Sequence, residues 1–537
     1  MPRVVVIGGG VAGLATAALL ARDGHSVRLL ERGTRLGGRA GLLEREGFRF
    51  DTGPSWYLMP RVFEHFFQML GTSTREQLDL ATLDPAYRVF PEPEKPGGKS
   101  SPVTVPRDPA LIREVFEGLE EGGGERLREH LASAARTALM AERYFLYNPF
   151  TRLRSLGRAE VLRSLPRLAR LLGVSLERHI AKRFRHPTLR QILGYPAVFL
   201  GTAPSDAPAM YHLMSALDLE EGVQYPAGGF WTIVERIAGL AAEAGVEIVT
   251  GAEATRIDTR PGGRRLRADG VRWTDREGTA HREQADIVVS CADLHHTETA
   301  LLDREAQSYP ETWWRRKVSG PGAVIAMLGV SGPLPELPHH SLFFTRDWDA
   351  NFSAIFGDEP SIPDPASIYV CKPSASDPGV APPGHENLFV LVPIPPLPEI
   401  GRGGADGGGD LRVERTADAA IDQIAAWAGI PDLRERIVLR HTLGPADFAG
   451  DYHSWRGGML GPAHILGQSA MFRPQNQSKR VDGLYYAGAT TAPGVGVPMC
   501  LISAELVLKR IRGDRTAGPL DVRGEARLSE RLSERSR

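Results

Sequence analysis

The chain has 537 residues, with 64 Lys and Arg against 65 Asp and Glu. That length exceeds what one simple core fills and suggests two or three structural domains. Nothing in the balanced total charge points to a polyanionic partner, so no nucleic acid is expected. Three isolated cysteines (Cys291, Cys371 and Cys500) lack metal-ligand spacing, exclude a disulfide framework and fit a reducing cytoplasm.

In chain order, Val4, Val5, Val6 and Ile7 form an apolar β-branched strand running into Gly8, Gly10 and Gly13. An Ala/Leu-rich helix follows and stops at Gly24, and a second strand, Val27 to Leu30, ends in Glu31. This is a strand–turn–helix–strand unit carrying a dinucleotide fingerprint. Gly8 permits the tight turn, Gly10 lets backbone approach a pyrophosphate, and Gly13 allows close helix–strand packing. The helix start, with Ala12 in its first turn, offers unpaired N–H groups and a positive dipole end to phosphate. Glu31, eighteen positions after Gly13, stands where a carboxylate accepts hydrogen bonds from an adenosine ribose. Val4 to Ala21 is uncharged over eighteen residues, but its four glycines coincide with the fingerprint, so it reads as strand plus buried helix. No other stretch is long enough to span a bilayer, and any membrane association is expected to be peripheral.

Farther along, Arg61 to Leu70 has Val62, Phe63, Phe66, Phe67 and Leu70 at helical spacing, and Pro91 to Pro106 reads as an exposed hairpin loop. Residues 110–217 are mainly helical in pattern. Gly228 to Gly245 is again helical, Val246 to Val249 and Asp286 to Ser290 are strands, and 320–395 is strand-rich. Gly401 to Gly409 reads as a flexible insertion. Gly483 to Ala489 is a strand ending at a glycine, and Leu501 to Arg512 is a helix. Residues 513–537 have few apolar side chains and read as a disordered tail.

Arg32-Gly33-Thr34-Arg35-Leu36-Gly37-Gly38-Arg39-Ala40 and Phe50-Asp51-Thr52-Gly53-Pro54-Ser55 then select among dinucleotides. Here the chain resembles the flavoprotein superfamily of amine oxidases, protoporphyrinogen oxidases and carotenoid desaturases, which implies FAD. The resemblance places Gly37, Gly38 and Arg39 along the flavin and its phosphates and Glu31 on the ribose. It adds Arg32, Pro54 and Ser55 to the cofactor site and gives Ala254 a backbone contact with the adenine. At the C-terminal end it brings Gly488 to the pyrophosphate and Val497, Pro498 and Met499 to the flavin end. Many relatives carry an acid after that glycine, where this chain has Ala489. Its absence, with the loop Pro493-Gly494-Val495-Gly496-Val497-Pro498, resembles the carotenoid desaturases, bacterial phytoene desaturases above all. Gln468-Ser469-Ala470, Phe472-Arg473-Pro474 and Glu221 to Gly229 fit the same family.

The implied fold is α/β (α+β overall): a Rossmann-type FAD-binding domain with a β-rich and helical substrate- and membrane-facing domain, amine oxidase-like. Residues 1–90, 225–300 and 475–512 are assigned to the discontinuous FAD-binding domain. Residues 91–224 and 301–474 go to the substrate-binding and membrane-associating region. The implied reaction desaturates phytoene or a related C30–C40 isoprenoid by hydride transfer to FAD, with oxygen or a quinone as electron acceptor. Trp56, Tyr57, Phe63, Phe66, Phe67, Phe199, Phe343 and Phe344 could line an apolar tunnel. Asp51, Glu221, Asp293 and His453 are candidate bases, none singled out. From Arg152 to Arg185 ten Lys/Arg stand against two Glu, with Val161, Leu165, Leu168 and Leu172 on one helical face and Pro166 as a kink. That element is expected to dock on an anionic membrane at the inner face of the cell membrane. Three other readings stay open: an oxidase of amines or porphyrinogens, a carotenoid or retinoid isomerase or saturase, and a non-enzymatic isoprenoid-binding protein.

Overall fold

A computed structural model describes residues 1–95, 97–150 and 159–522. Its first layer is a parallel sheet of five strands in the order Leu484–Tyr486, Ile287–Ser290, Arg3–Ile7, Ser26–Glu31, Glu247–Thr250. Neighbours in space come from distant parts of the chain, so this unit is discontinuous in sequence. The helix Val11–Arg22 is buried from Val11 through Leu20. It packs on the last helix, Val497–Arg512, and on Trp231–Glu243, in one apolar cluster. Among the described residues no helix is long and apolar enough to cross a membrane. An antiparallel sheet of Glu253–Pro261, Leu266–Thr274 and Ala280–Gln284, joined by Val481–Asp482, lies beside the parallel one.

The second layer is a seven-stranded mixed sheet in the order Ile437–Leu443, Gly322–Ser331, His385–Ile394, Ile368–Cys371, His340–Phe344, Tyr87–Pro91, Val103–Val105. Side chains alternate across it. Phe343, Ile368 and Val370 face a cluster with Val413, Ala417, Ile421 and Ile424 of the helix Leu411–Ala428. Leu342, Phe344, Tyr369 and Cys371 face the other way, toward the helices Gly123–Ala141, Leu176–Ala181 and Pro187–Gly194.

Several expectations are corrected. The strand Tyr87–Pro91, of which residues 87–90 are assigned above to the nucleotide-binding segment 1–90, pairs in parallel with His340–Phe344 and belongs to the second sheet. Gly401 to Gly409 is not a free insertion. Gly403 N–H donates to Asp447, Gly404 N–H to Thr442, and Gly409 N–H to Glu414. The last helix begins at Val497, four residues before the expected Leu501. The tail is ordered at its start: Lys509 Nζ donates to the carbonyls of Tyr147, Thr516 and Gly518, and Leu520 N–H donates to Glu505. Ala517 and Leu520 are buried. Residues 523–537 of that expectation lie outside the described residues.

These contacts tie residues 514–522 to the body of the protein through buried Ala517 and Leu520. Truncation after Gly513 is expected to lower stability by about 2 kcal/mol or more, from the exposed Leu520 site and the freed Lys509 ammonium. Thermal unfolding of the truncated and full chains checks this; equal melting temperatures would show that the segment contributes nothing.

Candidate active site

The parallel sheet brings the glycine motifs together at the carboxyl ends of its strands, where open α/β sheets bind ligands. A Cβ on Gly13 would sit 1.8 Å from the Gly8 carbonyl oxygen, so only glycine lets the helix Val11–Arg22 close on the first strand. Gly37 N–H donates to Gly9 O at 2.8 Å, tying the second glycine pair to the first. Gly37 has φ +99°, and a Cβ there would meet Ala40 O and the Trp231 ring, each at 2.6 Å. The helix start at Gly10 has no side-chain cap, and Gly10, Val11 and Ala12 line the cavity described below. Gly496, which starts the last helix, is likewise uncapped. Two bare helix N-termini and a cradle of glycines suit a pyrophosphate.

Around this cradle lies one cavity of about 900 Å³. Gly8, Gly10, Ala12, Glu31, Arg32, Gly37, Gly38, Arg39, Pro54, Ser55, Ala254, Gly488, Val497, Pro498 and Met499 all line it. Gly13 does not; it sits behind, at the helix–strand contact. Glu31 accepts from Gly9 N–H and Gly33 N–H, each at 2.6 Å, which fixes its carboxylate at the rim with lone pairs to spare. Arg32 donates to the carbonyls of Gly450 and Asp451 and lies 3.1 Å from His453 Nε2, clamping the 445–453 segment over this end. Arg39 hydrogen-bonds Ser454 and lies 3.8 Å from buried Asp293. Its buried Nε has no partner within the protein. The donor set fits FAD: unpaired N–H groups and guanidinium for phosphates, a carboxylate for ribose, and small residues where backbone must come close.

The candidate bases separate. Asp51 does not line the cavity; it accepts from Phe230 N–H at 2.7 Å and Trp231 N–H at 2.9 Å, capping the start of a helix. Burial pushes its carboxyl up to about 6. Glu221 pairs with Arg61 at 3.2 Å, also outside the cavity wall. Asp293 and His453 do line it, but at the Arg32–Arg39 end. Burial raises the Asp293 carboxyl against the pull of Arg39 and of the Trp455 and His295 N–H groups. Burial, then the Arg32 charge, lowers the His453 imidazole, which stacks on His296 at 3.8 Å.

Of the eight aromatic residues expected in a tunnel, Trp56, Phe199 and Phe344 line the cavity. Tyr57, Phe63, Phe66 and Phe67 belong to the core around the helix Val11–Arg22, and Phe343 stacks on Phe90 at 4.6 Å on the far face of the second sheet. Sequence reading missed Tyr195, Met210, Tyr211, Met214, Leu217, Trp348 and Tyr369, which complete the apolar wall. They come from scattered segments, and only the pleat of residues 340–344 and 368–371 carried a local signal.

Comparison with known proteins identifies the family. A family model described as flavin containing amine oxidoreductase matches residues 11–511. The chain is 42% identical to the carotenoid 3,4-desaturase of Haloarcula japonica, over 94% of this chain and 96% of that one. It is 33% identical to the zeta-carotene-forming phytoene desaturase of Myxococcus xanthus, over 95% and 93%. Among solved structures, an oxidoreductase from Methanosarcina mazei has TM-score 0.59 at 17% identity over 94% and 100%. Putrescine oxidase bound to putrescine has TM-score 0.58 at 13% identity over 95% and 99%, which shows the shared fold. The fold and site define an FAD-dependent oxidoreductase with amine oxidase-like architecture. The chain belongs to the flavin containing amine oxidoreductase family and is similar along nearly its whole length to carotenoid and phytoene desaturases.

Charge-assisted hydrogen bonds are worth about 1.5 to 3 kcal/mol, so Glu31→Ala should weaken FAD binding roughly ten- to a hundredfold. FAD titration into apo-protein measures this, and unchanged affinity would remove Glu31 from the site. Acid denaturation of the wild type is expected to release free flavin to the supernatant, since neither Cys291 nor Cys500 at the cavity wall is a ready thiolate. Burial pushes their thiols up to about 12 and about 11.

Proposed function

We propose that the protein is a carotenoid desaturase that introduces double bonds into phytoene or a related C30–C40 isoprenoid. The observation that carries this reading is the continuity of one cavity from the nucleotide cradle into a wall of Trp56, Phe199, Met214, Leu342, Phe344 and Trp348. Burying a hydrocarbon there yields about 0.8 kcal/mol per CH₂, enough to hold a long chain that offers no charged handle. Among the described lining residues, Asp293 lies by Arg39, Asp451 by Arg402, Glu253 by Arg32, and Glu142 by Arg61. With Glu31 tied to backbone N–H groups, a charged amine finds no free carboxylate, which disfavours the amine oxidase reading.

Bound FAD supplies the hydride acceptor, and the protein's own task is to bind, orient and exclude water. The apolar wall holds the polyene in register beside Pro54 and the 493–499 loop. Oxygen or a quinone serves as the terminal electron acceptor. The substrate dissolves in lipid, so we place the enzyme on an anionic membrane surface at the inner face of the cell membrane.

The basic element that suggested this needs revision. Arg152, Arg154 and Arg158 lie outside the described residues. The helix Ala159–Gly173 forms with Pro166 inside it. Arg167 faces inward, however, donating to Ser133 and Thr137, and Leu168 is buried. Arg170, Arg178, Lys182 and Arg185 are exposed and remain available to lipid headgroups, each adding about 1 kcal/mol near the surface.

Expression with a source of phytoene tests the reaction. The expected product absorbs at longer wavelength than phytoene, and recovery of unchanged phytoene would overturn the reading. Liposome co-sedimentation tests the surface: changing Arg170, Arg178, Lys182 and Arg185 to glutamate should release the protein from anionic vesicles at low salt. Equal binding by wild type and variant would place the membrane contact elsewhere.

A further inference from the structure

Behind the chamber wall, beside Pro54, runs a short polar chain. The Ser55 hydroxyl lies 2.6 Å from the Tyr369 hydroxyl, which lies 2.9 Å from His340 Nδ1. Ser55 and Tyr369 line the cavity, while His340 is fully buried behind them. Register brings the second sheet's two contributions together: His340 pairs with Cys371 and Leu342 with Tyr369 on adjacent antiparallel strands, on one face. Buried polar groups in an apolar wall are costly unless each finds a partner, so a connected chain here has to be accounted for.

The two short contacts allow either direction of donation along the chain, and the relay below uses the tautomer with His340 Nδ1 unprotonated. A tyrosine hydroxyl has one proton. With Nδ1 as acceptor, Tyr369 donates to His340 and accepts from Ser55, which leaves Ser55 lone pairs free toward the cavity. The ring proton then sits on Nε2, which has no partner. The titratable neighbours of His340 are His339, its ring centroid 4.5 Å away, and Cys371 with Tyr369 on the adjacent strand. Burial, then the neighbouring His339, holds the His340 imidazole far below its usual value. Burial also keeps the Cys371 thiol protonated, pushing it up to about 12. The resting chain is therefore neutral throughout. The Trp56 ring stacks on His340 at 4.5 Å and 13°. A ring face at that distance attracts a transient positive charge on the imidazole.

We propose that Ser55, Tyr369 and His340 take the proton that desaturation removes from the substrate, a role that rests on the desaturase reading above. One substrate C–H bond gives its hydrogen and electron pair to the flavin. The adjacent C–H bond breaks toward Ser55 Oγ, and its electron pair becomes the new π bond. Ser55 passes its own proton to the Tyr369 oxygen, and Tyr369 passes its proton to His340 Nδ1. The positive carbon left by hydride loss becomes neutral, and the charge appears on the imidazole under Trp56. Reversal of the chain after product release returns the proton to water in the cavity. Ser55 and Tyr369 are the catalytic residues; His340 acts through Tyr369.

The test uses FAD-loaded wild type and the variants Tyr369→Phe, Ser55→Ala and His340→Gln, with phytoene in lecithin liposomes, in H₂O and D₂O. Conversion by the wild type establishes the desaturase reading independently of the relay. Tyr369→Phe keeps the ring and removes the link. It should bind FAD and substrate as the wild type does but slow flavin bleaching in anaerobic stopped flow roughly a hundredfold or more, and lose the wild type's solvent deuterium effect. In ¹⁵N-histidine spectra His340 should read as the neutral Nε2–H form, with its Nδ1 shift changed by Tyr369→Phe. If His340→Gln does not fold, Ser55→Ala, altered only at the cavity surface, carries the same expectation. Wild-type bleaching in Tyr369→Phe, or a slowed rate with the solvent effect intact, overturns the proposal.

Discussion

The architecture depends on one steric constraint, the approach of the helix Val11–Arg22 to the strand Arg3–Ile7. With no Cβ at Gly13 the helix closes until that position meets the Gly8 carbonyl. Gly37, held to Gly9 by a backbone hydrogen bond, then crosses over the same turn. Three chain segments thus approach through backbone, and no side chain caps the helix start. The bare N–H groups there are an energetic liability in isolation. The same liability makes the site a receptor for phosphate. Any side chain added to satisfy those groups would fill the space the cofactor needs.

The second sheet solves a different problem, how to make an apolar wall that is also stable. Its strands are buried on both faces, and period-two alternation assigns each residue to one of two tasks. Phe343 and Val370 anchor the sheet to the helix Leu411–Ala428; Phe344 and Tyr369, one position away, face the chamber. A one-residue slip in either strand would exchange the two sets. Pairing of Ile368–Cys371 with His340–Phe344 on one side and with His385–Ile394 on the other holds that register.

This division explains what was legible in the sequence. The Val4–Glu31 unit could be read because its whole logic is local: strand, turn glycines, helix and acid lie within thirty residues. The wall could not. Phe63, Phe66 and Phe67 look as suitable for a tunnel as Phe199 and Phe344, since an amphipathic helix presents the same pattern to a core as to a ligand. Asp51 shows the same limit among the acids. Only the structure reveals that its two oxygens are taken up by Phe230 and Trp231 N–H groups. The basic run misled for a related reason. Arg167 counts as surface charge in a sequence, yet its guanidinium turns inward to Ser133 and Thr137. Long side chains choose their partners in three dimensions.

Charge is distributed along the cavity as unevenly as shape. At the cradle end Arg32, Arg39, Glu31, Glu253 and Asp293 stand close together, each tied to a partner or to backbone. Away from the cradle the lining includes the hydroxyls of Ser55 and Tyr369 and the mutually neutralised pair Arg61–Glu142, and burial holds the histidines His340 and His464 neutral. A charge-rich end fits a dianionic pyrophosphate, whose field would be costly to bury without donors. A neutral end fits a hydrocarbon, and its low polarity strengthens whatever short-lived charge the reaction creates there. The cavity is therefore two solvents joined at Pro54–Ser55, and the reacting carbons belong where they meet.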